Sequence, residues 1–380
     1  MPVIGLCMTN NISLKDWQNN GQIYREKLYF KKFLKNGYKI NLITFGNNKD
    51  LNIVNSKIKI IPLYCNIRKY KNKILNFFLN YWRLNFFRRL IEEIDLLKTN
   101  QLSSSILAIL ICIIYKKKIL LRIGYEPLMN YKTMLTNKYL RNTTTKKNFY
   151  QLKLFFLGLI SYKFSSHIIC TSAKQKDFIS SRFFISKSKI SIVPNWIDTK
   201  KFSPLNSQVN RNGVLFVGRL EPEKNPQILV ESMQGINKKL TLIGSGSLKN
   251  EIINLAEKYN VEIEIINPVP NNELVNYYQK CSVYVIPSFY EGNPKTLLEA
   301  MACGCAVIGS DVVGIKEIIN QERGLLFNDV SELKDSIKKL LKDKVKSRLM
   351  GNKARKYIEE NNNIDKCFNK EISLISKLLK

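Results

Sequence analysis

The stretch Phe289 to Ala302, FYEGNPKTLLEAMA, holds two carboxylates, Glu291 and Glu299, on either side of a Gly-Asn-Pro step. Asn293-Pro294 is a helix-start signal: an asparagine side chain caps free amides, and proline at the first helical position has no N–H to leave unsatisfied. The pattern predicts a helix from about Pro294. Glu291 then lies in the preceding loop, where Gly292 permits close backbone approach. Glu299 lies in the second turn and leans back toward the same helix start. The amides of Lys295, Thr296 and Leu297 have no intrahelical partner and sit at the positive end of the dipole, which makes an anion seat. A phosphate on those amides, with a carboxylate on each side to accept from paired hydroxyls, suggests a nucleotide sugar. The plainer reading is that acids simply favour a helix start, and it suffices for Glu291. It does not suffice for Glu299, since a carboxylate among leucines and alanines needs a partner.

Three further segments carry chemistry. VLFVGRLEPEKNP runs a strand into Gly218-Arg219 and on to Lys224. Arg219 offers a fork for phosphate oxygens and Lys224 a point charge, a pair suited to a diphosphate, although both residue types are common in solvated loops. LTLIGSGSLKNEI ends a strand in Gly244-Ser245-Gly246, which serves either close approach to a ligand or only a tight turn. In EIINPVPNNEL the Val269-Pro270 backbone lies where a base could be gripped.

The elements that must position these residues alternate short β-branched runs with helical patterns, the signature of parallel sheets with crossover helices. Strands are predicted at 3–8, 40–45, 59–62, 94–98, 119–123 and 167–171 in the first half. In the second they fall at 213–217, 240–243, 261–265, 283–286, 306–309 and 324–327. Helices include about 21–36, closed by Gly37, and 104–115. Later ones begin near Asn225, Ser247, Asn271, Pro294, Gly314 and Ser331. The fold class is α/β, with two Rossmann-like, doubly wound parallel-sheet domains. Residues 1–195 form the first and 196–365 the second, and 366–380 is a C-terminal helix packing back toward the first. The boundary runs through Pro194-Asn195-Trp196-Ile197-Asp198 to Ser203-Pro204 and the polar stretch 206–212. Ligands of such sheets bind at the strands' carboxyl ends, so the cleft between domains is the expected site.

The 380 residues carry a net charge of +31, unevenly distributed. Residues 1–200 hold 35 Lys and Arg against 9 Asp and Glu, and residues 201–380 hold 26 against 21. A basic first half suits an anionic membrane surface, an anionic acceptor or nucleic acid. Eight cysteines without paired CxxC spacing read as reduced, buried thiols, and no second Cys/His cluster supports a metal site. The start, MPVIGLCMTNNISLKDW, reads as a strand and not as a signal peptide. Its Asn11 triplet, like that at Asn142, matches a glycosylation pattern that has meaning only on secretion. The longest apolar run, Ile106 to Tyr115, is about half the ~20 residues of a spanning helix.

In combination these motifs resemble glycosyltransferase family four, retaining enzymes of the GT-B fold. The resemblance rests on Arg219 with Lys224, Gly244-Ser245-Gly246, Pro287-Ser288 with Glu291-Gly292, Leu298 to Gly304, Gly314-Ile315 with Glu317, and Gly324-Leu325-Leu326. It is dense from about Pro194 to Leu341 and looser in the first half. It implies that Arg219 and Lys224 bind the donor diphosphate, that Glu299 holds the donor ribose, and that Glu291 contacts the sugar hydroxyls. The backbone of Gly244, Val269, Gly292, Asn293, Lys295, Thr296 and Leu297 would complete the donor site. Pro194-Asn195-Trp196-Ile197-Asp198 is similar to the family's hinge motif, with Trp196 where glycine is common. Asn20-Gly21 sits where the family often has paired glycines, and the first glycine is missing. Many members place a histidine in the first domain near the reacting carbon, but this chain has only His167, at a strand start. The corresponding loop is LLRIGYEPL, so Arg122, Tyr125 and Glu126 are candidates for reacting-sugar or acceptor contacts. Retention in the family is described as front-face displacement, with the leaving diphosphate helping to deprotonate the acceptor. That needs leaving-group stabilisation more than a dedicated base. Glu291, Arg219 and Lys224 are therefore the catalytic candidates, with no metal or other cofactor expected.

Residues 69–90, KYKNKILNFFLNYWRLNFFRRL, mix basic and aromatic residues, with Leu75, Phe78, Leu79, Trp82 and Phe86 at helical spacing. This is either a helix lying on an anionic bilayer or a core-facing helix with a charged outer side. Residues 104–115 and 155–160 read as buried. The expected partners are a nucleotide sugar, UDP- or GDP-linked, a glycan or lipid-linked acceptor of cell-surface polysaccharide, lipopolysaccharide or glycolipid synthesis, and an anionic membrane surface. The expected location is cytoplasmic, peripheral on the inner face of the membrane. The alternatives are a nucleotide-sugar epimerase of the same fold, or a basic nucleic-acid-binding protein. The latter is disfavoured by the absence of zinc spacing, a basic-aromatic sheet signature or a helix-turn-helix pattern.

Overall fold

The computed structural model describes residues 1–66, 70–136, 147–205 and 211–380. Asn142, Lys69 and most of the 206–212 stretch lie outside the described residues. Two compact units are present, one of Met1–Leu128, Asn148–Val193 and Asn369–Lys380, the other of Pro194–Phe368 together with the described part of Met129–Lys147.

The first unit is a seven-stranded parallel sheet in the order β3-β2-β1-β4-β5-β6-β7. Its strands are β1 (Val3–Cys7), β2 (Lys39–Thr44), β3 (Ile58–Pro62), β4 (Leu96–Thr99), β5 (Lys118–Arg122), β6 (His167–Cys170) and β7 (Ile190–Ile192). The edge strand β7 escaped the sequence reading because three residues are too few to set a period. The helices of this half of the chain are α1 (Leu14–Asn19), α2 (Ile23–Lys35), α3 (Lys73–Phe86), α4 (Arg88–Glu92), α5 (Ser105–Tyr115), α6 (Pro127–Thr136), α7 (Lys147–Phe164) and α8 (Ala173–Phe183), of which α6 falls almost wholly in the second unit. Gly37, at φ +80°, ends α2: its own N–H donates to Leu34 O and the Tyr38 N–H to Phe33 O, the paired bonds of a Schellman cap.

The second unit has six parallel strands in the order β10-β9-β8-β11-β12-β13. They are β8 (Val214–Val217), β9 (Leu240–Ile243), β10 (Ile263–Ile266), β11 (Val283–Ile286), β12 (Ala306–Ser310) and β13 (Leu325–Phe327). Between and after them come α9 (Pro226–Ser232), α10 (Lys249–Tyr259), α11 (Leu274–Lys280), α12 (Lys295–Ala302), α13 (Val313–Lys316), α14 (Val330–Lys342) and α15 (Lys344–Asn361). The central strands β8 and β11 are buried along their whole length, as strands covered on both faces must be. The last helix, α16 (Ile364–Leu379), contributes its second half to the first unit.

Two expectations need correction. Asn293 does not cap α12: its side chain accepts from the Asn195 N–H at 2.8 Å, and Pro294 takes the cap position, where its side chain makes no cap bond. The helices α5 and α7 are not buried throughout, because Ile106, Ile113, Ile114, Phe156 and Ile160 are exposed. Continuous apolar runs carry no period, so their burial could not be read from the chain.

Candidate active site

The carboxyl ends of β8, β9 and β11 bring the second unit's candidates together. β11 ends at Ile286, and the chain turns through Pro287-Ser288 into the acidic loop. Ser288 is buried; its hydroxyl donates to Glu291 Oε1 at 2.8 Å, and its carbonyl accepts from Ser310 Oγ at 2.5 Å. A Cβ on Gly314 would lie 2.2 Å from Glu291 O and 2.5 Å from Gly292 O, so α13 packs directly beneath this backbone. Only glycine fits there. Asn195 donates its side-chain N–H to Asn293 O at 2.7 Å, which fixes the loop's far end.

Lys224 reaches the same loop. Its Nζ lies 2.5 Å from Glu291 Oε1, and both side chains are largely buried. The Phe289 N–H donates to Glu223 O at 3.0 Å, so the lysine-bearing turn and the acidic loop are stitched together. Arg219 leaves the end of β8, is ion-paired with Glu223, and keeps most of its side chain in solvent. A Cβ on Gly244 would stand 1.9 Å from Gly218 O, and one on Gly246 2.2 Å from Leu220 O. These glycines therefore serve close packing of the β9 loop on the Arg219 loop.

Glu299 is 2% exposed. Asn271 Nδ2 donates to its Oε1 at 2.8 Å and the Tyr278 hydroxyl to its Oε2 at 3.1 Å. These are the partners that a carboxylate in an apolar helix requires. Neither Asn271 nor Tyr278 was marked by the sequence, since each meets Glu299 only across the packed α11 and α12. Burial drives the Tyr278 phenol well up, and the Glu299 charge adds to it. Tyr284 lies within the field of both glutamates; burial raises its phenol, the Thr296 hydroxyl, 2.8 Å away and able to donate to the phenolate, opposes that, and Glu291 and Glu299 add to the rise. The two carboxylates thus flank the start of α12, each with its own partners. Val269 is half-buried against the same core.

The first unit's candidates are spread over separate networks. Gly21, at φ +67°, follows Asn20, whose N–H closes α1 on Asp16 O. Glu126 is buried and accepts from the Tyr162 hydroxyl at 3.0 Å, while Tyr125 is about half-exposed. Arg122 Nη1 lies 3.3 Å from Glu371 Oε2, and Lys98 Nζ lies 3.3 Å from Oε1 of the same carboxylate. Tyr29 donates its hydroxyl to Glu371 as well. Burial lowers the Lys98 ammonium, with Glu371 opposing that shift. Glu371, on the terminal helix, is the residue that sequence reasoning missed here. His167 opens β6 and its Nε2 is 2.9 Å from Ser191 Oγ. Among the described residues no group of three His, Cys, Asp or Glu could hold a metal ion, and no helix is long and apolar enough to cross a membrane.

Residues 198–357 match the family "Glycosyl transferases group 1", and residues 30–201 match "Glycosyltransferase Family 4". A relative is the UDP-Gal:alpha-D-GlcNAc-diphosphoundecaprenol alpha-1,3-galactosyltransferase of Escherichia coli, 27% identical over 60% of this chain and 64% of that one. Alignments to the first curated relatives span between about half and two thirds of those proteins' lengths. Sucrose-phosphate synthase from Thermosynechococcus elongatus superposes with a TM-score of 0.81 at 20% identity, covering 100% of this chain and 99% of that one. Anabaena Alr3699/HepE, solved with UDP, gives 0.73 at 12% identity, covering 99% and 100%. The two family matches together run from residue 30 to residue 357, across both parallel-sheet units. The chain belongs to the family-four glycosyltransferases, with the GT-B fold.

Proposed function

We propose that this protein moves a sugar, with retention, from a nucleoside-diphosphate sugar to a lipid-linked glycan acceptor in cell-surface polysaccharide, lipopolysaccharide or glycolipid synthesis. The observation that carries the reading is the Glu299 carboxylate, held by Asn271 and Tyr278 within the first turns of α12. In this reading Glu299 accepts from the ribose hydroxyls, and the Val269 backbone meets the base. The α12 amides of Lys295, Thr296 and Leu297 take phosphate or sugar oxygens, with Gly244, Gly292 and Asn293 completing the lining. The diphosphate draws Lys224 from Glu291 and Arg219 from Glu223, which frees Glu291 for the sugar hydroxyls. As the sugar–phosphate bond breaks, charge grows on the diphosphate, and Arg219, Lys224 and the helix start stabilise it there. These cationic groups supply what a metal would, so a metal-independent reaction is expected. Asn20, Gly21, Arg122, Tyr125 and Glu126 are the acceptor-side candidates.

UDP is the first donor base to try, because the Escherichia coli relative is named for UDP-galactose and the Anabaena structure holds UDP; GDP is the next. The diphosphoundecaprenol in that relative's name, with the basic first unit, supports peripheral attachment to the inner face of the cytoplasmic membrane. The test is thermal unfolding with UDP, GDP, ADP and CMP, in the parent and in Arg219→Ala and Lys224→Ala. A nucleotide at one hundred times its dissociation constant adds ~2.7 kcal/mol. One nucleoside diphosphate should stabilise the parent selectively and both variants less. No response to any of them sinks the proposal.

A further inference from the structure

The first unit presents an apolar surface far larger than its charge would suggest. Among the described residues, fourteen of twenty-four exposed large apolar side chains lie on α3, α5 and α7. On α7, Phe149, Leu152, Phe156, Ile160 and Phe164 recur every three or four residues on the outward stripe, with Phe149 75% exposed. Its inward side is apolar too: Leu154 and Tyr162 are buried, and Gly158 lets the Phe183 ring approach. A helix that is apolar all round is either enclosed by protein or in contact with something else. On α3 the exposed set is Leu75, Phe78, Tyr81, Trp82 and Phe86, and on α5 it is Ile106, Ile113 and Ile114.

These stripes share one side of the sheet. Strand order runs one way from β1 to β3 and the other way from β4 to β7, so right-handed crossovers place α3, α5 and α7 on the face opposite α2. Ser105 on α5 is hydrogen-bonded to Ser161 on α7 at 2.6 Å, and Tyr81 and Asn85 of α3 line one depression with Ile114 and Tyr115 of α5. Exposed Arg89, Lys116, Lys153 and Lys163 border the stripes, and neither α5 nor α7 carries an acid.

We propose that the outer faces of α3, α5 and α7 form one platform that seats in the interfacial layer of an anionic bilayer, with the α7 aromatics supplying most of the apolar burial. In its choice of a lipid partner this rests on the transferase reading; the surface itself does not. Charge decides the occupant: the first half carries 35 Lys and Arg against 9 Asp and Glu, so two copies meeting on this face would repel, whereas anionic lipid is complementary. Basic rim and apolar centre together are what interfacial seating requires.

The test is co-sedimentation of the full chain with phosphatidylglycerol-rich and with phosphatidylcholine vesicles, at low and high salt, with Trp82 emission and its quenching by brominated lipid. Of the three tryptophans Trp17 is buried and Trp196 half-buried in the second unit, so the emission is read in a Trp196→Phe background, where exposed Trp82 is the informative probe. Binding to the anionic vesicles with a blue-shifted, quenched Trp82 is expected. The triple variant Phe149→Ser, Phe156→Ser, Ile160→Ser should partition about a hundredfold less, roughly fivefold per side chain, while its stabilisation by UDP stays at the parent level. A parent that responds to UDP but ignores anionic vesicles overturns the platform alone. So does a triple variant that binds like the parent, or a lipid-free dimer that the triple variant converts to monomer. Vesicle binding without any nucleotide response would leave the platform standing and remove the transferase reading.

Discussion

Glu299→Gln separates the ligand role of this carboxylate from its structural one. In the free protein Glu299 accepts one bond from Asn271 at 2.8 Å and one from Tyr278 at 3.1 Å. Glutamine keeps the shape and one acceptor; the other oxygen becomes an NH2 that faces a donor. Asn271 can turn its amide, or Tyr278 its hydroxyl, to accept instead, and no charge is left buried at 2% exposure. The unliganded variant should therefore melt within about 1 kcal/mol of the parent. The proposed nucleotide complex should behave differently, since in it two ribose hydroxyls would lose a charged acceptor. Bonds to charged groups contribute roughly 1.5–3 kcal/mol and neutral ones roughly 0.5–1.5, so the pair loses about 2–3 kcal/mol, or ~30- to 150-fold in affinity. Calorimetric titration of UDP reads that loss, and 2′-deoxy-UDP supplies the control. The parent should prefer UDP over the deoxy form, and the variant should have lost most of that preference. UDP affinity within twofold of the parent, or an undiminished preference for the ribose, would refute the assignment. A fall in unliganded stability as large as the fall in affinity would show that Glu299 serves packing only.

Gly314→Ala should push the Glu291-Gly292 backbone off α13, because the added carbon would lie 2.2 Å from Glu291 O. Overpacking of this kind costs about 1–3 kcal/mol, seen as a lower denaturant midpoint together with weaker nucleotide binding; wild-type behaviour in both would contradict the geometry. Glu371→Gln leaves Lys98 and Arg122 without their buried anion, and a loss of about 3–5 kcal/mol in urea unfolding is expected. Adding Lys98→Met should recover part of that loss, and additive effects would argue against the network. His167 titrates below its usual 6.5, first through burial and then through Lys176, Lys189 and Lys377. Its folded pKa being depressed, the unfolded chain binds the proton more readily, so its contribution to stability is complete above about pH 6.5 and is lost as pH falls toward the folded value. The chain's single histidine makes the NMR titration unambiguous, and His167→Gln should flatten that part of the stability–pH curve.

The second unit's candidate-site residues were legible because local rules act on them. Gly244, Gly246 and Gly314 occupy positions where a side chain would collide with backbone, and Glu299 interrupts an apolar helix, so each stands out against its neighbours. The β8, β9 and β11 cores were legible through their β-branched runs. The partners were not. Asn271 and Tyr278 look like ordinary loop and helix residues until α11 packs on α12, and Asn293 looks like a cap until Asn195 claims its side chain. Glu371 lies 249 positions from Arg122, beyond any spacing argument.

Sequence alone thus determined the alternation of strands and helices, the two parallel sheets and the residue types gathered at the candidate site, because propensity, period and steric exclusion act over a few positions. Tertiary structure decided which face of each apolar helix meets solvent and which carboxylate answers which cation. Continuous apolar runs such as α5 carry no period to name an outer side, and α7 is apolar on both of its sides, so only packing against the sheet leaves Phe156 outside and Leu154 within. Ion pairing in the first unit was likewise set by where α16 arrives, since a buried charge takes the nearest opposite charge in space and not in sequence.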